Sequence, residues 1–151
     1  MTSLDKSAAL SMVLAPKEGI QTRKVAILVA DGVDGEAVKG MQMALVAAGG
    51  QGKIVATRSG SLKAANGSEL KIDFSLLTTR SVLFDAVYIP GGARSVSALL
   101  RTAKRTFVQD AYLHCKAIAA IGEGVAFFEA AVGAAYPEAE PGGKTRQTLK
   151  D

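Results

Sequence analysis

The stretch Lys116–Phe128, KAIAAIGEGVAFF, decides how the rest of the chain is read. Ala117–Ile121 is uniformly apolar and buried in character, Gly122-Glu123-Gly124 interrupts it, and an apolar helical pattern resumes at once. A strand that turns sharply into a helix is the outline of a nucleophile elbow, which presents one reactive side chain at the apex of the turn. The residue at this apex is Gly122. Either the chemistry of the chain lies elsewhere, or the fold carries an elbow whose reactive group is gone.

Working outward, the same strand-then-helix grammar recurs. KVAILVADG holds an apolar run, Val25 to Ala30, that is apolar at alternate and intervening positions alike, as a strand covered on both faces requires. Val38, Met41, Leu45 and Ala48 then recur at helical spacing, and Gly49-Gly50 supplies a helix stop. KIVAT, residues 53–57, reads as a second strand, and Asn66-Gly67 between two short extended segments reads as a hairpin set apart from the main sheet. A third core strand over Ala86 to Ile89 ends at Pro90-Gly91-Gly92, and a helix is predicted to begin near Ser95. Phe107, Ala111 and Cys115, spaced by four, predict an apolar stripe on a further helix, and the helix after the elbow is expected over 124–132.

Alternating strands and helices predict an α/β fold, with an open, mostly parallel sheet and helices on both faces. Ligands of such sheets sit at the C-terminal ends of the strands, so Asp31-Gly32, Gly91-Gly92-Ala93 and Gly122-Glu123-Gly124 are the turns to search. Residues 1–22, around Pro16 and Gly19, lack a lasting period and read as an arm or linker. Residues 23–132 read as the folded domain, and 133–151, rich in Gly, Pro, Glu and Lys, as a polar tail.

Composition narrows the classes. The chain has 151 residues and 48% apolar residues, enough for the core of one domain. One cysteine, Cys115, excludes an intrachain disulfide, and with a single histidine, His114, it excludes a Cys/His metal cluster within the chain. No apolar run approaches the roughly 20 residues that span a bilayer, and Met1 to Ile20 lacks the pattern of a secretory signal. The expectation is a soluble, cytoplasmic protein with no membrane partner. A net charge of +4 is mild; Arg101, Lys104 and Arg105 are expected to share one helical face, but without interleaved aromatic residues they read as a solvated face and not as a nucleic-acid patch.

Three kinds of chemistry can be weighed on residues alone. Nucleotide binding fails on spacing, since Gly32, Gly35 and Gly40 are too widely spread and no Gly-Lys-Ser/Thr occurs. Cys115 lies between His114 and Lys116, yet its place on the predicted stripe reads as a buried packing thiol, with His114 at the surface of the helix end. Asp31, Asp34, Glu36 and Glu123 gather carboxylates near the strand ends, where they suit either a metal or acid–base site or, for Asp34 and Glu36, the first turn of a helix.

With ADGVDGEAV, DAVYIPGGARS and CKAIAAIGEG in that order, the chain resembles the PfpI-type, class I glutamine-amidotransferase-like superfamily. More specifically, RKVAILVADGVDG, TRSGSLKAANGSEL, FDAVYIPGG and DAYLHCKAIAAIGEG resemble the C-terminal domain of large-subunit haem catalases, and AALSMVLAPKEGIQTRKVAIL resembles the junction leading into it. The resemblance implies a flavodoxin-like fold and, in the enzymatic relatives, a Cys-His-Gly elbow where this chain has Gly122, Glu123 and Gly124. It also implies a supporting glutamate where this chain has Ala37, with Glu36 one position off register, a helical rotation of about 100°. The Gly91-Gly92-Ala93 turn, whose amides face an oxyanion in those relatives, is kept as a possible anion turn. The implied role is a non-catalytic, structural accessory to a catalase core that detoxifies hydrogen peroxide, with haem expected only in that core and not in this chain. The expected partners are a catalase core domain or subunit and further copies of the chain. The rival expectations are a PfpI-like thiol hydrolase or glyoxalase using Cys115, and a holdase chaperone or small-anion sensor built on the Gly91-Gly92 turn.

Overall fold

The computed structural model describes residues 19–102 and 105–135. Its centre is a five-stranded sheet in the order β5-β2-β1-β6-β7, every neighbouring pair parallel. The strands are β1 (Lys24–Val29), β2 (Gln51–Ala56), β5 (Phe74–Ser75), β6 (Ala86–Ile89) and β7 (Ala117–Ala120). Between β2 and β5 the chain leaves the sheet for the antiparallel hairpin β3 (Ser61–Lys63) and β4 (Glu69–Lys71), turned around Asn66-Gly67 as its sequence predicts.

Handedness assigns the helices to faces. From β1 the chain moves to β2 on one side through α1 (Gly35–Ala47), and from β6 it moves to β7 on the other through α2 (Ala93–Arg101) and α3 (Arg105–Leu113). Right-handed crossovers in opposite directions place these helices on opposite faces. One core therefore gathers Ala26, Leu28, Val87 and Ile89 under Val96, Leu99, Phe107, Val108 and Phe127, the last from α4 (Gly124–Ala135). The other gathers Ile27, Val29, Ile54 and Tyr88 under Val33, Val38 and the hairpin residues Leu62 and Leu70. Consecutive strand residues thus serve different cores, which is why Val25–Ala30 carries no polar alternation.

Several boundaries differ from the sequence reading. The second strand starts at Gln51, before Lys53, because Gln51 N–H is drawn to the Arg23 carbonyl at 2.8 Å, next to β1. Helix α2 starts at Ala93, before Ser95, directly from the turn at Gly92. Helix α4 passes through Gly133 to Ala135, beyond the predicted end at 132; residues 136–151 of the predicted tail, and residues 1–18 of the predicted arm, lie outside the described residues. Residues 19–22 pack on the end of α1, where Thr22 N–H donates to the Gly49 carbonyl at 3.0 Å. Arg101 ends α2 and Arg105 opens α3, so the predicted shared basic face is broken by a helix boundary; Lys104 is outside the described residues.

The largest correction concerns Cys115. Helix α3 stops at Leu113, and Cys115 is exposed with φ +53°, so the thiol is not on the Phe107/Ala111 stripe. The Cys115 N–H donates to the Tyr112 carbonyl and the Lys116 N–H to the Ala111 carbonyl, each at 3.0 Å. That pair of bonds is the Schellman closure, and it requires a left-handed residue at the position Cys115 occupies. Spacing by four continued past the helix end because a side-chain period says nothing of where the backbone turns. Replacing Cys115 by glycine is expected to stabilise the protein by about 1 kcal/mol, by removing the left-handed penalty of a residue with a Cβ. Urea unfolding of the two proteins checks this, and a destabilised Cys115→Gly would restore a packing role for the thiol.

Candidate functional site at the strand ends

The three glycine turns named from the sequence meet in one place, above the C-terminal ends of β1, β6 and β7. The Asp34 N–H donates to the Gly91 carbonyl at 3.1 Å, joining the first turn to the second. Gly92 has φ +119°, and a Cβ there would lie 2.7 Å from the Gly32 carbonyl oxygen, so the two backbones touch. The third turn closes on the second through Gly122, whose own added Cβ would meet only the Gly91 Cα, at 3.6 Å. A Cβ at the apex of the elbow would make only ordinary van der Waals contact. The chain puts none there and bends at φ +53°.

The side chain that reaches into this junction is Glu123. Its Oε2 accepts the Gly92 N–H at 2.9 Å, across 31 residues of sequence. That N–H belongs to the possible anion turn Gly91-Gly92-Ala93, so the protein's own carboxylate takes a donor that the resemblance would offer to an oxyanion. Hydrogen bonds to the charged form favour it. The Gly92 N–H, and then Glu123's own N–H, hold the Glu123 carboxyl below the usual carboxylate range, so it is ionised at neutral pH. An incoming oxyanion would have to displace a bonded negative charge.

The other carboxylates do not converge with it. Asp31 pairs with Arg58 at 3.0 Å and accepts the Lys63 N–H at 3.1 Å, tying the end of β1 to the hairpin. Asp34 caps α1, accepting the N–H groups of Glu36 and Ala37 at 3.1 and 3.2 Å. Glu36 itself is exposed on the first turn of α1, with Ala37 half-buried beside it. Among the described residues no three His, Cys, Asp or Glu side chains are grouped to hold a metal ion. Cys115 precedes β7 and Gly122 follows it, so the thiol and the elbow are at opposite ends of one strand. His114, exposed next to that thiol, places Nδ1 2.6 Å from the Asp110 carbonyl oxygen.

Two residues at the site carry no signal in the sequence. Ser95, 1% exposed on α2, accepts the Ala30 N–H on Oγ at 2.9 Å and so satisfies the backbone where β1 leaves the sheet. Tyr88, 4% exposed, lies in the opposite core; burial first, and the Asp34 charge second, push its hydroxyl above the ordinary tyrosine range. A serine inside a helical segment and a tyrosine inside an apolar strand are ordinary locally, and only the fold shows what they meet.

Comparison with known proteins places these features. Residues 21–148 match the C-terminal domain found in long catalases. A catalase from Alkalihalophilus pseudofirmus is 37% identical over 108 residues, 72% of this chain and 16% of that protein. Catalase HPII of Mycobacterium avium is 39% identical over 121 residues, 79% of this chain and 17% of its own length. The chain thus spans about one-sixth of the length of these relatives. Among solved structures, a ThiJ/PfpI domain protein from Brachyspira murdochii is similar with a TM-score of 0.67 at 22% identity, over 76% of this chain and 66% of that one. Drosophila melanogaster DJ-1beta is similar with a TM-score of 0.64 at 20% identity, over 75% and 61%. At these identities the likeness is one of fold, flavodoxin-like α/β.

Proposed function

The chain belongs to the family of C-terminal domains found in long catalases, and from that membership we propose that it is a non-catalytic accessory domain supporting the stability and assembly of a catalase core. The observation that carries the reading is the elbow. Its apex is Gly122, which carries no side chain, and the neighbouring Glu123 carboxylate sits on the Gly92 amide. A hydrolase of this fold needs a nucleophile at the apex and a free donor for the developing oxyanion. Here the first is absent and the second is bonded internally, which also weighs against a small-anion sensor at Gly91-Gly92. The thiol-hydrolase rival loses its geometry with Cys115 at the other end of β7.

Two measurements test this reading together. The chain by itself is expected to show no Soret absorbance after desalting and no oxygen release from hydrogen peroxide above a haem-free control. Fused behind the core of a large-subunit catalase from which its own C-terminal domain has been removed, it is expected to raise the temperature at which peroxide dismutation is lost. A fusion no more stable than the truncated core would overturn the accessory role, and peroxide turnover by the isolated chain would overturn the non-catalytic one.

A further inference from the structure

Helix α1 is apolar on two sides. Its inner face gives Val38 and Leu45 to the interior, with Met41 packed against the same core. Its outer side carries Gly40, Met43, Ala44, Val46 and Ala47, all exposed, Met43 by 73% and Val46 by 69%. From Gly40 to Gly52 the sequence has no charged residue. A groove between this side of the helix and β2 is lined by Gln42, Met43, Val46, Ala47 and Gly52. A helix that is apolar all round is one that packs all round, and among the described residues nothing covers this side.

We infer that the occupant is the chain's own segment Ala8–Pro16, laid along α1 and into the groove. The turn ahead of β1 carries the argument. The Arg23 N–H donates to the Ile20 carbonyl at 3.0 Å, with Thr22 at φ +64°, so the backbone reverses just before the strand. Helix α1 joins two parallel neighbours and so runs antiparallel to β1; the residues ahead of the turn are therefore directed back along α1, from its last turn toward its first. Packing there has already begun. A Cβ at Gly50 would lie 2.9 Å from the Ile20 Cδ1, and one at Gly49 would lie 3.1 Å from the Gln21 Cγ. Gly50 is two residues before Gly52, so Ile20 stands at the mouth of the groove. The sequence upstream then has the composition such a face accepts: AALSMVLAP, residues 8–16, holds no charged side chain, and Lys17, Glu18 and Gly19 form a spacer of about 10 Å between it and Ile20. Fully extended, the segment reaches about 30 Å, against roughly 20 Å for the 13 residues of α1, so it can line the whole helix. On this reading the folded unit starts near Ala8 and not at residue 23, whether or not the domain serves a catalase core.

The test uses the full chain, with Met43 as its own probe, because tert-butyl hydroperoxide converts accessible methionine to the sulfoxide and peptide mapping reads each site. Met43 is expected to oxidise several-fold more slowly in the unmodified chain than in Leu10→Asp/Leu14→Asp, and at the same rate at every protein concentration. Val46→Asp is the reciprocal variant, expected to speed the oxidation of Met12 several-fold, with far-UV circular dichroism unchanged because Val46 is exposed. Equal Met43 rates in the unmodified chain and the arm variant overturn the inference. An unchanged Met12 rate in Val46→Asp overturns it independently, should the arm variant fail to fold. Protection of Met43 that grows with protein concentration and survives Leu10→Asp/Leu14→Asp overturns it in favour of a second copy on the same face.

Discussion

Gly92→Ala is expected to lower stability by roughly 3 kcal/mol or more, combining a strained backbone with an overpacked contact. The residue has φ +119°, and the added methyl would lie 2.7 Å from the Gly32 carbonyl oxygen and 3.0 Å from both the Asp34 nitrogen and the Val33 Cα. All three neighbours are backbone, so no side chain can rotate away. Gly67→Ala is the control: Gly67 has φ +82° but nothing within 4 Å of the added methyl, so it reports the conformational penalty alone, about 1 kcal/mol. Urea unfolding of both proteins separates the two effects. Equal losses would mean that the Asp31-Gly32 and Gly91-Gly92 turns do not meet as described.

Ser95→Ala is expected to cost about 1–3 kcal/mol, which is large for the removal of one oxygen atom. Its Oγ is the acceptor for the Ala30 N–H at 2.9 Å in a position only 1% exposed, and alanine would leave that amide buried without a partner. Ser95→Thr keeps the acceptor and is the informative companion, since recovery of stability by threonine would assign the loss to the hydrogen bond and not to a cavity. Hydrogen exchange at Ala30 gives a local readout, expected to accelerate in Ser95→Ala well beyond the change at neighbouring Leu28. Unchanged exchange at Ala30 with unchanged stability would remove Ser95 from the account of how β1 is terminated.

Both substitutions test contacts between segments far apart in the chain, and they mark where sequence reading stops. The fold class was legible because its causes are local. Val25–Ala30 and Ala86–Ile89 are apolar without alternation because each strand feeds two cores, and that pattern is complete within six residues or fewer. The stop at Gly49-Gly50 and the hairpin at Asn66-Gly67 were legible for the same reason. The emptied elbow was also visible, since a glycine at Gly122 identifies itself.

What the three-dimensional structure decided depends on partners that sequence order does not bring together. That Glu123 lies on Gly92 rests on the register of β6 against β7, which sets two turns 31 residues apart face to face. That Ser95 serves Ala30 rests on the placement of α2 over β1, across 65 residues. Cys115 was misread because its four-residue spacing from Ala111 is a property of side chains, whereas the end of α3 is set by backbone bonds that carry the chain from helix into β7. The run Ala117–Ile121 was read as buried because alanine and isoleucine look the same in a central strand and at an edge. Only the strand order, with β7 outermost, shows that one side of it has no neighbour among the described residues. The sequence by itself determined four of the five sheet strands, the hairpin and the helices between them, leaving the two-residue β5 unread, and it determined that the elbow lacks a nucleophile, because periodicity and residue chemistry act over a few positions. The tertiary structure decided which donor meets which acceptor and which strand is outermost among the described residues, because those depend on packing between segments that have no local record of one another.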